Sequence, residues 1–284
     1  MQIIKKVLRR IGVLGTPETE DQNDMRMLSG IPVIPCNVEP LRGVSTISLS
    51  DILLDGEHAR QWEETCADPV LRAIPDVRRA VNPGDRRALH YMMDHFRPKR
   101  ILEVGTHIGA STAWMASLLK RQALEDGVSF SLTSVDVKDV NCEQTKYWLN
   151  FGADCSPAER MSRLGVSDSV RFIARDSLEY LRETPDTYDF VFLDGNHRAS
   201  HVYREIPHVL DRLSPGGVVL LHDYCPDGKI LWNQEPVIIG PYEAVKRHQQ
   251  EGKKLVPLPL GALPWETKYG SRLTSLAMLL KDDR

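Results

Sequence analysis

The sequence predicts an α/β protein whose centre is a doubly wound, mainly parallel sheet. Three observations carry this. Five short apolar runs, RILEVG, FSLTSVD, VRFIARD, YDFVFLD and GVVLLHD, are each closed by a glycine or an acid. Helical stretches alternate with them, and unbroken apolar runs fit strands buried on both faces, as βαβ crossovers require. Composition agrees, with 42% of the 284 residues hydrophobic and 26% charged, the balance of a globular chain long enough for a substantial core.

The elements follow in order. Ile4, Val7, Leu8 and Ile11 sit at helical spacing among Lys5, Lys6, Arg9 and Arg10. They predict a basic amphipathic helix, expected to pack on its own protein or a sister subunit and not on a membrane. Residues 30–46 contain three prolines and no period, so they read as an irregular connection. SDILLDGEHARQWEE predicts one helix over Ser50–Glu64, capped by Ser50 or Asp51. Pro83-Gly84-Asp85 opens the next helix, RRALHYMMDHF, which ends before Pro98. After Tyr224, PYEAVKRHQQ reads as a helix. KLVPLPL and LTSLAMLL read as two final strands, the expected antiparallel addition to the sheet.

Charge and cysteines narrow the function. With 36 basic and 39 acidic residues the net charge is −3, against the strong basicity of a duplex-binding surface, so no nucleic-acid partner is expected. Cys36, Cys66, Cys142, Cys155 and Cys225 are odd in number and lack the C-x₂-C spacing of a zinc site. They read as free thiols in a reducing cytoplasm. No apolar run is long enough to span a bilayer, and the N-terminal cations interrupt any signal-like apolar region.

In a parallel sheet, ligands bind beyond the carboxyl ends of the strands. The first run ends Glu103-Val104-Gly105-Thr106-His107-Ile108-Gly109, then a helix begins. Gly105 allows a tight turn and Gly109 lets the helix start close to a ligand. This G-x-x-x-G differs from the G-x-G-x-x-G of nicotinamide enzymes, and no Lys-Ser/Thr of a P-loop follows. An acid before the loop repels phosphate and attracts an ammonium group, which points to a cationic, adenosine-like ligand. Asp136 ends the second run, where a carboxylate can accept both hydroxyls of a ribose. Asp176 and Ser177 follow the third, placed to meet an exocyclic amine or, for Asp176, to cap the helix SLEYL.

Together ILEVGTHIGAST, SVD, RDSLEYL, YDFVFLDGNH and LSPGGVVLLHDY resemble the class I, S-adenosylmethionine-dependent methyltransferases, over about residues 85–225. The resemblance implies a Rossmann-like sheet with an N-terminal helical and irregular extension. It implies Glu103, Gly105 and Gly109 around the methionine part, Asp136 at the ribose, and Asp176 with Ser177 at the adenine. Thr106, His107, Ser111, Val137 and Asp194 complete the residues expected at the cofactor.

Asp194 and Asp223 terminate the fourth and fifth runs, and neighbouring acids there would repel unless a cation joined them. At this point the chain resembles the metal-dependent O-methyltransferases of the catechol and macrocin types. That resemblance implies magnesium or another divalent cation on Asp194 and Asp223. The third protein ligand is His222, which heads the metal assignment, or Asn196, or water. Catechol enzymes have Asp-Asn where this chain has Asp223-Tyr224, and the macrocin type has Asp-Asp where it has His222-Asp223. His197 falls three residues after Asp194, at the position of the catalytic lysine of catechol enzymes, and a histidine suits proton removal near pH 7.

The function expected is magnesium-assisted methyl transfer to a hydroxyl of a small molecule, first a sugar moiety of a natural product or glycan, then a catechol-like phenol. The alternatives are metal-independent O- or N-methylation and a non-catalytic S-adenosylmethionine-binding scaffold. Residues 1–81 are expected to be an extension serving as cap or oligomer interface, with a homo-oligomer as the expected assembly. Residues 82–284 would be the cofactor-binding domain, with 225–272 as an acceptor-site insertion. Trp232, Tyr242, Trp265 and Tyr269 are candidates for stacking on an acceptor ring or for packing.

Overall fold

The computed structural model describes residues 19–77 and 80–284. The basic helix expected over the first thirteen residues lies outside them. Strands β1 (Arg100–Val104), β2 (Ser131–Asp136), β3 (Val170–Ala174), β4 (Tyr188–Leu193), β5 (Leu213–Leu221), β6 (Leu255–Pro259) and β7 (Ala277–Lys281) form one sheet. Their order is β3-β2-β1-β4-β5-β7-β6. β1 to β5 run parallel, while β7 pairs antiparallel with both β5 and β6. The winding starts at β1 and proceeds outward in both directions. A switch point therefore lies between β1 and β4, where a crevice opens beyond the strand ends.

Alternation along the strands divides the core in two. Ile101, Phe190, Phe192, Leu220 and Met278 point into one buried cluster, whereas Leu102, Val191, Leu193, Val219 and Leu279 point into the other. Both faces are covered, so the strands read as continuous apolar runs. Helices α1 (Glu20–Gly30), α2 (Leu49–Leu53), α3 (Gly56–Cys66) and α4 (Pro69–Arg72) precede the sheet. α5 (Pro83–Phe96), α6 (Ala110–Asp126), α7 (Pro157–Leu164), α8 (Ser177–Glu183), α9 (Ala199–Asp211) and α10 (Gly240–Gln250) are interleaved with it. The segment before α5 joins both cores, for Ile52, Leu53, Trp62 and Leu71 lie in the first cluster and Leu28 in the second. Among the described residues no helix is long and apolar enough to cross a membrane.

One predicted helix is two. Ser48, not Ser50 or Asp51, caps α2 by accepting the Asp51 N–H. Asp55 then accepts the N–H groups of Glu57 and His58 and starts α3 afresh. A second good N-cap inside an amphipathic stretch cuts it. The region between β2 and β3 carries α7 and a 3₁₀ turn at Tyr147–Phe151, which the sequence reading leaves unassigned although Ser156, Pro157, Glu159 and Gly165 mark the two ends of α7.

Candidate active site

A cavity of about 690 Å³ opens at the carboxyl ends of the parallel strands. Thr106, His107, Ser111, Asp136, Val137, Asp176, Ser177, Asp194, His197, His222 and Asp223 all line it, and so does Gly105. The β1–α6 turn explains the glycines. Gly105 has φ 98°, and a Cβ there would meet the Asp194 carbonyl oxygen at 2.2 Å, so glycine lets this turn nest against the end of β4. Gly109, at φ 72°, precedes the first residue of α6, and a Cβ would strike Pro157 at 2.8 Å. It serves helix packing and is not among the cavity residues.

Glu103 also differs from expectation. It is fully buried, does not line the cavity, and takes hydroxyl donors from Ser111, from Thr112 at 2.5 Å and from Ser134 at 2.5 Å. Burial raises its pKa to about 7, the three hydroxyls opposing and the charge of Asp194 adding to the rise. It therefore stiffens the turn from beneath instead of presenting an open carboxylate to an ammonium group.

Asp136 keeps a strand-end position facing the cavity, with fewer free sites than expected. Its Oδ2 accepts the N–H groups of Thr106 and His107 at 3.1 and 3.0 Å, and its Oδ1 accepts Lys138 N–H at 2.9 Å. Of roughly four acceptor sites on a carboxylate, about one is left for a ribose hydroxyl. Asp176 performs the capping role, its Oδ1 accepting Leu178 and Glu179 N–H, while Oδ2 stays available to the cavity. Ser177 donates to Glu205, a residue of α9, and His201 Nε2 lies 3.0 Å from the serine oxygen. His107 packs its ring 4.3 Å from Phe151. Tyr147, Phe151 and His201 line the cavity without having been read from the sequence, because none ends an apolar run.

Asp194, His197 and Asp223 meet at the β4–β5 end of the cavity. One ligand-type atom of each lies within 4.8 Å of the others. His197 Nε2 is 3.4 Å from Asp223 Oδ2. So His197, expected only as a base, stands where the third metal ligand was sought. His222 lies just beneath, fully buried. Its Nδ1 is 2.8 Å from Asp194 Oδ1 and 3.5 Å from Asp223 Oδ1, close enough to pair yet out of line for a hydrogen bond. Its Nε2 is 3.2 Å from Asp85 Oδ2. Asp85 in turn accepts from Thr274 Oγ1 and Asn82 Nδ2, each at 2.6 Å. Burial works against charge on His222, but Asp194 and Asp223 outweigh it and raise its pKa well above the ordinary value. Burial alone would raise the Asp223 pKa; His222 reverses that and holds it well below the usual carboxylate range. The expected clash of two bare acids is thus already relieved by an imidazole between them. Asn196 uses Oδ1 to accept Arg198 N–H.

Three of the four aromatic candidates pack against neighbours, while Tyr269 is exposed. Trp265 lies 4.7 Å from Tyr91 and donates to Gly84 O, Trp232 is buried under Lys268, Tyr242 faces Tyr224, and Tyr269 donates to Glu235. None of them lines the cavity. The wall there comes instead from Glu235, Pro236, Ile238 and Lys268, with Glu235 and Lys268 paired at 3.1 Å.

A methyltransferase domain model matches residues 102–224. A putative O-methyltransferase from Klebsiella pneumoniae superposes with a TM-score of 0.53 at 20% identity, covering 76% of this chain and 91% of that one. The O-methyltransferase TomG of Streptomyces achromogenes, involved in tomaymycin synthesis and solved in complex with S-adenosylmethionine, gives a TM-score of 0.51 at 19% identity, covering 93% and 99%. At such identities the likeness is one of fold. A curated relative, a phosphoglycolate phosphatase of Aliivibrio fischeri (strain ATCC 700601 / ES114), is 26% identical over 99 residues, which are 34% of this chain. The match spans only 40% of that protein's length. Family match and strand order coincide along the chain: the methyltransferase domain model falls on residues 102–224, the stretch that carries the parallel strands β1 to β5.

Proposed function

We propose that the protein is an S-adenosylmethionine-dependent O-methyltransferase that acts on a hydroxyl of a small molecule with the help of a divalent cation. The observation that carries this is the convergence of Asp194, His197 and Asp223 at one end of the cavity that holds Asp136 and Asp176 at the other. The printed names of the Klebsiella and Streptomyces proteins support methyl transfer to oxygen. In this reading residues 82–284 form the cofactor domain and the preceding segment caps it. Residues 225–272 supply the acceptor wall through Glu235, Pro236, Ile238 and Lys268.

Transfer from a sulfonium is an in-line displacement in which the acceptor oxygen forms a bond to the methyl carbon and gives up its proton. His197 is half-exposed in the cavity, and Asp223 beside it orients the ring, so His197 is placed to take that proton. Asp194 and Asp223 with an imidazole nitrogen would hold a cation, whose Lewis acidity lowers the pKa of a bound hydroxyl. The buried, unbonded Nδ1 of His222 fits that role, since Asp85 can accept a hydrogen bond from the opposite ring nitrogen and fix the tautomer. With His222 as nitrogen donor, His197 is free for the proton. The two carboxylates suit magnesium or manganese, and an imidazole in the donor set extends the range to iron. Two adjacent hydroxyls, on a sugar of a natural product or glycan or on a catechol, match such a site best because one can anchor while the other reacts.

One observation favours a metal-independent reaction: His222 already stands 2.8 Å from Asp194 and supplies the positive charge that the acid pair needs. A labelled-methyl screen over glycosides and phenols separates the readings. Activity abolished by excess EDTA and restored by magnesium or manganese is the expected result. Undiminished activity in EDTA overturns the cation, and failure of the protein to bind S-adenosylmethionine in calorimetry overturns the methyltransferase reading itself.

A further inference from the structure

We infer that Lys268 is a specificity-determining residue that donates a hydrogen bond to a third oxygen of the acceptor, so that the site prefers polyhydroxylated acceptors, sugars above all, to simple catechols. This rests on the O-methyltransferase reading above, in which two adjacent hydroxyls engage the Asp194–Asp223 end of the cavity. Lys268 is carried there on an arm. Beyond Pro259 the β6–β7 pair continues as an irregular hairpin, joined by Leu260 N–H to Leu276 O, by a bridge between Ala262 and Leu273, and by Leu263 N–H to Arg272 O. The arm ends in a tight turn that Ser271 N–H closes on Lys268 O at 2.9 Å. Its central residues, Tyr269 and Gly270, have φ 56° and 70°, the signs of a type I′ turn. Nearer its base the arm is pressed on the start of α5. Trp265 Nε1 donates to Gly84 O at 2.9 Å, and a Cβ on Gly84 would strike Thr267 Cα at 2.8 Å. The same turn of α5 supplies Asp85 to His222, so the arm and the acid pair share one support.

The surroundings of the ammonium group leave one of its functions unfilled. Nζ lies 3.1 Å from Glu235 Oε2 and 4.7 Å from the centre of the buried Trp232 ring. Lys268, Glu235 and Asp223 line the cavity and Trp232 does not, so the ring backs the ammonium from the protein side. The charge of Lys268 also reaches Asp223 and helps to hold that carboxyl below its usual range. Glu235 is the one hydrogen-bond partner of Lys268 among the described residues. An ammonium has three donors; one goes to Glu235 and at most one more to the ring face, so a donor remains. Glu235 is itself fixed, since its Oε1 accepts the Tyr269 hydroxyl at 3.0 Å. That contact accounts for a tyrosine at a turn position that otherwise favours asparagine or glycine. The ammonium, already paired with a carboxylate, calls for an acceptor oxygen and not for a second anion. A catechol spends both its oxygens at the Asp194–Asp223 end, whereas a sugar has further hydroxyls and a ring oxygen to offer. A polar site rejects the analogue that lacks the matching group.

The experiment is calorimetry on the full chain saturated with S-adenosylhomocysteine and magnesium, under nitrogen. It compares catechol with pyrogallol, which adds one hydroxyl beside the pair, and with methyl β-D-glucopyranoside. The wild-type protein should bind the two polyhydroxylated compounds at least about ten-fold more tightly than catechol, the scale of one hydrogen bond from a charged donor. Lys268→Met keeps the length of the side chain and should lose about that factor for both, while catechol changes less than two-fold. Lys268→Arg, which keeps a charged donor, should retain part of the preference. Unchanged affinity for S-adenosylhomocysteine in each variant shows that the fold is intact. Tighter binding of catechol by the wild type, equal losses for all three compounds in Lys268→Met, or binding of none of them overturns the role of Lys268. Methyl transfer that persists in those cases leaves the O-methyltransferase reading standing, and failure to bind S-adenosylhomocysteine overturns both.

Discussion

The two ends of the cavity are held by different means. At the end proposed to hold the cofactor, Asp136 and Asp176 are fixed by backbone N–H groups of their own and adjacent loops: Thr106, His107 and Lys138 for one, Leu178 and Glu179 for the other. At the acid end, Asp194, His222 and Asp223 lean on one another and on side chains from remote elements. Asp85 at the start of α5 takes His222, and Ser275 before β7 donates to Asp223 at 3.3 Å. Asp223 also holds φ 55°, an unusual conformation for a residue with a Cβ, kept in place by these surroundings. A site fixed by backbone should bind even when single side chains change. A site fixed by a side-chain network should fail as a unit.

The largest effect expected from this contrast is at the acid end. Asp194→Ala should lower kcat/KM by about 10²–10³-fold, the scale of losing a group that stabilises charge in the transition state. S-adenosylhomocysteine affinity should move by no more than about three-fold, because the cofactor grip lies elsewhere. Methyl transfer within ten-fold of wild type would show that the acid end does not serve the chemistry.

Glu103 lies between the two ends and should report through stability. Its folded pKa is about 7 against an unfolded value near 4.5. Between these values the folded state holds a proton that the unfolded chain has lost. The stabilisation is complete below about pH 4.5, declines as pH rises through 7 and is gone above it. Glu103→Gln removes the titration and keeps one acceptor oxygen, while the hydroxyls that face its NH2 group turn to accept, as they must towards the O–H of the protonated acid. The variant should match wild type near pH 4.5 and exceed it above pH 7, by about 3 kcal/mol at most. Denaturant melts at several pH values test this, and parallel pH curves for the two proteins would exclude it.

At the cofactor end a milder result is expected. Asp136→Asn presents an amide donor where Thr106, His107 and Lys138 already donate, so one of these bonds must open. Affinity for S-adenosylhomocysteine should fall by about 10–50-fold with kcat at saturating cofactor nearly unchanged. A fall in kcat alone would merge the two ends and dissolve the comparison.

How much of this was legible in the sequence follows the same division. The five parallel strands, the antiparallel final pair, and Gly105, Asp136, Asp176, Asp194 and Asp223 at the tips are all visible, since each closes an apolar run or opens a helix. The grouping of Asp194 with Asp223 follows from strand adjacency. Asp85, although it stands in the first turn of a helix, and His201 end no strand. Both sit inside helices, and only the fold brings Asp85 to His222 and His201 to Ser177. Glu103 was placed correctly in the chain and wrongly towards the ligand, because Thr112 and Ser134, which seal it, lie on separate elements. Gly109 was read for ligand approach, whereas the residue that needs its small size is Pro157, in a helix that the sequence reading missed although Ser156 and Gly165 bound it.

Asp24 extends the contrast to the loop that carries His197. α9 begins directly after that loop, and Arg198 at its N-cap makes no side-chain cap bond. The missing cap comes from α1, 175 residues earlier in the chain. Asp24 Oδ2 accepts Ala199 N–H at 2.5 Å, and Oδ1 accepts the N–H and hydroxyl of Ser200. On the other side Gly240 presses on the same loop so closely that a Cβ there would overlap the His197 carbonyl oxygen at 1.8 Å. Asp24 does not line the cavity, but it anchors the helix start that follows the His197 loop and is expected to act as a positioning residue. Asp24→Asn replaces one acceptor by a donor aimed at N–H groups and should cost about 1 kcal/mol of stability, the scale of a lost N-cap. If the cap only stabilises the fold, kcat of the folded variant will equal that of wild type. If it positions His197, kcat should fall several-fold while S-adenosylhomocysteine affinity stays constant, and Gly240→Ala, which displaces the same loop from the opposite side, should produce the same split.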